Sequence, residues 1–323
     1  MLKYLVILLD DTSTSYCHYE TKKSERKPIS LEDLKAGILF AMKENLMIQF
    51  VYPDYELPQE YKDAIHSIDH SKIIPYEYKG HGDVVVINSW KDFAACTFDK
   101  QTTYVIRTDK ELFFNCQQLV KDALDKSIRI NVVITDVETF TKEDFDKYKE
   151  CLNSLSETIE QLYVSGASPQ LNILTDRMQL DSMNNCNAGW ENITLAPDGK
   201  FYVCPAFYLA DDEEDFGLGK AKFNIGDLQN GLDIKNPQLY KLSHSPLCRN
   251  CDAYQCKRCV WLNRKTTLEV NTPSHEQCVL SHIERNASKS LLERIRQHGD
   301  FLPDINIPTI DYLDPFEKRN EWN

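Results

Sequence analysis

The stretch Cys248-Arg-Asn-Cys251-Asp-Ala-Tyr-Gln-Cys256-Lys-Arg-Cys259 packs four thiols into twelve residues, and seven of the eleven cysteines in the chain lie between Cys186 and Cys278. What such a field means depends on the compartment. The apolar run Tyr4–Leu9 is followed at once by Asp10 and Asp11, too short and too acidic for a signal peptide or membrane anchor. The expected location is therefore the cytoplasm, with no membrane partner, where thiols stay reduced and clustered cysteines read as metal ligands. Soft thiolates select zinc, copper(I) or iron–sulfur clusters. A single structural zinc usually takes two CxxC knuckles about fifteen residues or more apart, so that two arms can close a tetrahedron. Only four residues separate the knuckles here, and three further cysteines are left over. Close runs whose last cysteine serves a different cluster are an iron–sulfur device. The spacing favours iron–sulfur, with zinc as the alternative metal.

Working outward, Leu195–Cys204 reads as a hairpin. Pro197-Asp198-Gly199 makes the turn, and the return strand through Phe201, Tyr202 and Val203 carries Cys204 back towards Cys186. On the other side, a helix is predicted over Ser281–Gln297, followed by a proline-punctuated tail, Pro303–Asn323. The acidic run Asp211–Asp215 reads as a solvated loop tip. A net charge of −13 argues against a nucleic-acid partner, which would need a basic face.

The first 175 residues have a different texture. Candidate strands at Tyr4–Leu9, Met47–Val51, Val84–Asn88, Tyr104–Arg107, Ile128–Ile134 and Leu171–Leu174 alternate with helical patterns. Ser30 with Asp33, and Thr141 with Asp144, sit at capping-box spacing ahead of amphipathic runs. Lys110–Asp125 also reads helical, with Leu112, Cys116, Leu119 and Ala123 on one side. Cys96, Cys116 and Cys151 fall in helical patterns and read as core thiols. Six βα steps fit an α/β fold with a parallel sheet, either an open partial barrel or a doubly wound sheet. In both, chemistry belongs at the carboxyl ends of the strands, which singles out the loop Asp10–Ser24.

The pattern Cys186-x12-Gly199-x4-Cys204, then Cys248 and Cys251, then Cys256 and Cys259, then Cys278, resembles the SPASM domain at the C-terminus of radical SAM enzymes that modify ribosomal peptides. The resemblance covers all seven cysteines and departs in one place. The second pair is spaced CxxxxCxxC here, where that domain usually has five and three intervening residues. It implies two auxiliary [4Fe-4S] clusters, one on Cys248, Cys251, Cys256 and Cys278, the other on Cys186, Cys204 and Cys259 with a fourth ligand not assigned. The altered spacing leaves the division of Cys256 and Cys259 open. Among the histidines near these sites (His18, His244 and His275), His244 is the first candidate for the missing donor. The implied fold is a partial (β/α)6 TIM-like barrel of the radical SAM type over 1–175, a SPASM-like iron–sulfur domain over 176–285, and a helix end with an extended tail over 286–323.

Radical SAM enzymes carry CxxxCxxC in the loop after the first strand, and its three thiolates hold the cluster that chelates S-adenosylmethionine. The matching positions here are Ser13, Cys17 and Glu20, with Tyr19 kept at the aromatic position before the third ligand. A serine hydroxyl stays protonated and hard, and one thiolate cannot secure a cubane. The Gly-Gly-Glu turn expected after the second strand is replaced by Val51-Tyr-Pro-Asp-Tyr-Glu56. No S-adenosylmethionine cofactor is therefore expected. Cys17 itself reads as an ordinary loop or buried thiol, with Cys17, His18 and Glu20 as the candidates for any retained catalytic role.

Taken together, LVILLDDTSTSYCHYE, FAMKENLMIQFVYPDYELPQEY and the SPASM-type tail resemble the CXXX repeat peptide maturases, radical-SAM-like proteins associated with small peptides whose cysteines recur every fourth residue. The resemblance implies a maturase or maturase subunit whose partner is a cysteine-containing precursor peptide. With a first strand at Tyr4, leader recognition is expected to fall to the barrel surface or to a separate leader-binding protein. An iron short of a cysteine would be open to a substrate thiolate. The alternatives are a pseudoenzyme delivering peptide or electrons to a catalytic partner, and a zinc-stabilised binding protein.

Overall fold

Local signals build most of the first half. The structure, a computed structural model, describes residues 2–183, 186–210 and 223–309. Strand β1 (Tyr4–Leu8) leads through a long loop to α1 (Leu31–Lys43), where the Ser30 side chain accepts from the Asp33 amide. Then follow β2 (Met47–Val51), α2 (Gln59–His66), β3 (His70–Pro75), β4 (Val84–Ile87), α3 (Trp90–Ala95), β5 (Thr103–Thr108), α4 (Lys110–Ala123), β6 (Arg129–Ile134), α5 (Lys142–Val164), β7 (Gln170–Leu171) and α6 (Asp176–Gln179). Strand β3 was not foreseen. Its first three residues are half-exposed and only Ile73, Ile74 and Pro75 are buried, so no two-residue alternation shows in the sequence. No helix follows it, which leaves six helices on seven parallel strands. The last strand is shorter than expected. After Leu171 the Thr175 hydroxyl accepts from the Leu171 amide and the chain turns.

Thr141 and Asp144 form the complete capping box at the start of α5, and Asp144 also meets Lys110 Nζ at 2.6 Å, tying α5 to α4. Thr141→Ala is expected to cost about 1 kcal/mol, read as a lower denaturant midpoint with an unchanged slope. On α4 the buried residues are Phe113, Val120 and Ala123; of the expected side only Ala123 is buried, while Cys116 and Leu119 are half-buried and Leu112 is exposed.

The second half continues the same sheet instead of starting another. Strand β8 (Asn192–Leu195) pairs parallel with the free edge of β1. From β8 the chain runs antiparallel through β9 (Lys200–Tyr202), β10 (Asn224–Asp227) and β11 (Gly231–Leu232). Among the described residues this makes one open, eleven-stranded sheet ordered β11-β10-β9-β8-β1-β2-β3-β4-β5-β6-β7. Gly199 takes φ +76° at the hairpin turn, the left-handed region a glycine adopts freely. The short α7 (Ala206–Leu209) follows Cys204, and α8 (Val260–Thr267) follows Cys259. Helix α9 (His275–Arg296) starts earlier than predicted, on a Ser274 cap, so Cys278 lies in its first turns and not ahead of it. It packs along α5, sharing the core of Leu152, Leu155, Leu291 and Leu292. Cys151 is buried in that core, and Cys96 and Cys116 pack against it. The run Asp211–Asp215 and the tail past residue 309 lie outside the described residues. No helix among the described residues is long and apolar enough to cross a membrane.

Candidate metal centre

The loop after β1 is clamped on every side. Ser13, fully buried, receives the Asp10 amide on its hydroxyl (3.0 Å) and donates that hydroxyl to the Val51 carbonyl (2.9 Å). Tyr55 donates to Asp10 (2.7 Å), and Tyr208 in α7 donates to Asp11 (2.6 Å). The segment after β2 thus holds the loop through Tyr55. Arg107, at the carboxyl end of β5, reaches across and donates Nε to the Cys17 carbonyl (2.8 Å), Nη2 to the Tyr19 carbonyl (2.5 Å) and Nη1 to Asn88 Oδ1 (2.8 Å).

The three catalytic candidates of this loop do not converge on one another. Glu20 is exposed and lines the cavity at the barrel mouth. His18 turns to the end of β6, its Nδ1 2.9 Å from the Ile134 carbonyl, and burial lowers its pKa. Cys17 turns the other way, into a group with Cys186, Cys204 and Cys259 close enough to act on one another electrostatically. Burial first, and Cys186 second, push the Cys17 thiol up to about 12, while Arg107 and Lys257 oppose the rise. Tyr16 and Tyr19 stand edge to face beside these thiols. Tyr19 is 4% exposed, and its hydroxyl is buried with no hydrogen-bond partner.

A second group gathers Cys248, Cys251 and Cys256. Cys278 in α9 belongs beside them, because one turn on, His282 Nε2 lies 3.4 Å from Cys251 Sγ while His282 Nδ1 meets the Cys278 carbonyl. His282 was missed in the sequence, although its spacing of four from Cys278 on a helix was the available signal. Conversely, His244 is exposed and engaged with Ser243, and His275 is paired with Glu276.

Several of these sulfurs already receive backbone N–H groups: Cys251 from Ala253 (3.5 Å), Cys256 from Arg258 (3.4 Å) and Cys259 from Leu262 (3.4 Å). Backbone donors on Cys186 and Cys204 act in the same sense. Such donors support thiolates. Arg258, 1% exposed, carries its charge beside Cys186, Cys248 and Cys256, members of both groups. Its guanidinium is held by Ser245 Oγ (2.8 Å) and the Tyr240 carbonyl (2.7 Å). Among the described residues no three Cys, His, Asp or Glu side chains converge tightly enough to hold a single metal ion. A cubane is wider than an ion and spreads its thiolates further, so the soft, N–H-supported donor set fits a cluster.

The carboxyl ends of β1 to β6 enclose a cavity of about 720 Å³. Its walls are polar and carry both signs of charge, with Arg26 and Arg107 facing Glu20, Asp54, Glu77 and Asp109. This is the mouth at which barrel enzymes place their chemistry.

Solved structures share this arrangement. Hexahistidine-tagged anSMEcpe with bound AdoMet superposes with a TM-score of 0.62 at 11% identity, covering 94% of this chain and 97% of that one. Native anSMEcpe with bound AdoMet and Cp18Cys peptide gives 0.60 at 11% identity, covering 92% and 100%. The fold is the radical SAM-like one. At that identity the likeness carries architecture alone: a mixed α/β chain built on a large, mostly parallel sheet. No protein-family model and no curated protein matches the sequence.

Proposed function

We propose that the chain is a maturase, or a maturase subunit, for a cysteine-containing peptide, of the CXXX repeat type. In this reading it holds two [4Fe-4S] clusters in its second half and none in the loop after β1. The observation that carries it is the sorting of the cysteines into two groups, with backbone N–H donors on sulfur in both. Two contacts support an empty first loop in this reading: Ser13, at a ligand position, spends its hydroxyl on the Val51 carbonyl, and Tyr55, in the segment after β2, donates to Asp10. The polar cavity offers an extended peptide both signs of charge, and the anSMEcpe structures with Cp18Cys and Kp18Cys peptides support a peptide as ligand of this fold.

The chain's own residues would bind and orient that peptide: Arg107 and Arg26 towards carbonyls and acids, Glu20 and Glu77 towards amides and bases. Bound clusters would supply electron transfer. Turnover of cysteine-repeat peptide by the isolated chain would place catalysis here, and capture without turnover would place it on a partner enzyme. Protein reconstituted anaerobically is expected to hold about eight irons and about eight sulfides per chain, little zinc, and to leave S-adenosylmethionine uncleaved. Cysteine-repeat peptide is expected to bind the reconstituted chain, and Glu77→Lys in the cavity wall is expected to weaken that binding while leaving the iron content unchanged. A zinc-filled, sulfide-free protein, or no binding of the peptide by the reconstituted chain, would count against the proposal.

A further inference from the structure

The geometry points to Cys17 as the fourth protein ligand of the cluster carried by Cys186, Cys204 and Cys259. This rests on the two-cluster reading above and replaces the open iron expected from the sequence.

Three separate elements deliver the other thiols to one place. Cys186 is tied to the knuckle run by its amide on the Lys257 carbonyl (3.3 Å). Cys204 ends the hairpin that returns beside Cys186, and Cys259 caps α8, its sulfur accepting the Leu262 amide. The β1 loop brings the fourth. It is stitched to the segment after Cys204 by the Lys22 amide on the Leu209 carbonyl (2.9 Å) and by Tyr208 on Asp11, and Arg107 fixes the backbone on both sides of His18. Cys17, Cys204 and Cys259 then pack against the same core, partly buried. With Cys186 exposed beside the other three, four soft donors from four separate segments meet at one place, the number of thiolates that a four-iron cluster takes.

A second observation converges on the same spot. The Tyr19 hydroxyl, two residues on, is buried and unpartnered, with Cys17 and Cys204 close enough to act on it electrostatically. A buried phenol without an acceptor is destabilising. Thiolate or sulfide at this site would accept its hydrogen bond. The rival donor, His244, faces solvent.

Ligation forms one iron–sulfur bond, releases the Cys17 proton to solvent, and displaces the water or small thiol otherwise bound to that iron. Of the three inherited positions in the loop, Ser13 thus became scaffold and Glu20 cavity wall, while Cys17 was turned onto the neighbouring cluster.

The test uses the full chain after anaerobic reconstitution. Cys17→Ala should lose about one iron of about eight and show an oxidised three-iron signal on mild oxidation that wild type lacks, with Cys116→Ala as the unaffected control. In wild type, alkylation mapped by mass spectrometry should find Cys17 at least about tenfold slower with clusters in place than after their chelation. That comparison stands even if the variant fails to fold. Unchanged iron and spectrum in Cys17→Ala, or equal Cys17 labelling with and without clusters, overturns this assignment alone. Wild-type protein with zinc and no sulfide overturns the two-cluster reading and this one with it.

Discussion

Cys251→Ala is expected to unfold the knuckle region and lose about half of the bound iron, one cluster of two, while the barrel strands persist. Residues 246–259 contain no helix or strand, and Cys248 and Ala253 are their only contributions to the buried hydrophobic core. What orders them otherwise is polar. Arg177 donates to the Asp252 carbonyl (2.6 Å), Arg285 grips the Asp252 carboxylate (2.6 Å), and Gln255 donates to the Ser281 carbonyl (2.7 Å). Bonds of that kind contribute about 1–3 kcal/mol each and cannot offset the ordering entropy of fourteen residues, at about 1–2 kcal/mol per residue. In the two-cluster reading, cluster binding supplies the remainder, as structural zinc does at about 10 kcal/mol in small domains. Removing one ligand should cost several kcal/mol. The readouts are iron content, proteolysis within 245–285 and a lost cooperative transition. A variant with wild-type thermal stability would deny the cluster its folding role.

What was legible in advance followed physical range. The capping box at Thr141, the side-chain cap at Ser30, the hairpin at Gly199 and the β1 run are local, and each appears within a residue of where it was read. The face of α4 was misplaced because Leu112 lies in the first turn and points to the cavity, while Phe113 faces the core. Strand β3 hid because a half-exposed entry and only two isoleucines leave little periodicity. The gathering of the second-half cysteines was readable from their spacing, but the neighbours of Cys17 were not. They come from residues more than 160 positions away, joined through a β1–β8 pairing that no local pattern encodes. Arg107 was passed over as the last residue of an expected strand. Its place at a strand's carboxyl end, where barrel sites form, was the available clue.

That arginine carries the second large prediction. Arg107→Ala should destabilise the fold by about 2–4 kcal/mol and release the loop from Asp10 to Ser24. Arg107 is 9% exposed, and its guanidinium serves three acceptors on two segments: the carbonyls of Cys17 and Tyr19, and Asn88. Charge-assisted bonds of this type contribute about 1.5–3 kcal/mol each, but the cavity admits water to part of the vacated space, which keeps the total below the sum. Arg107→Lys should restore little, because one ammonium on a flexible stem cannot span a planar fork of three directions. Hydrogen exchange over residues 10–24 is the direct measure, and protection there should fall in both variants while β5 itself stays protected. If lysine kept wild-type protection, the loop would be held by Tyr55 and Tyr208 without the arginine. If protection falls, the same variants should also fill the cluster nearest Cys17 more slowly than its neighbour, since the loop that presents the thiol would no longer be held in place.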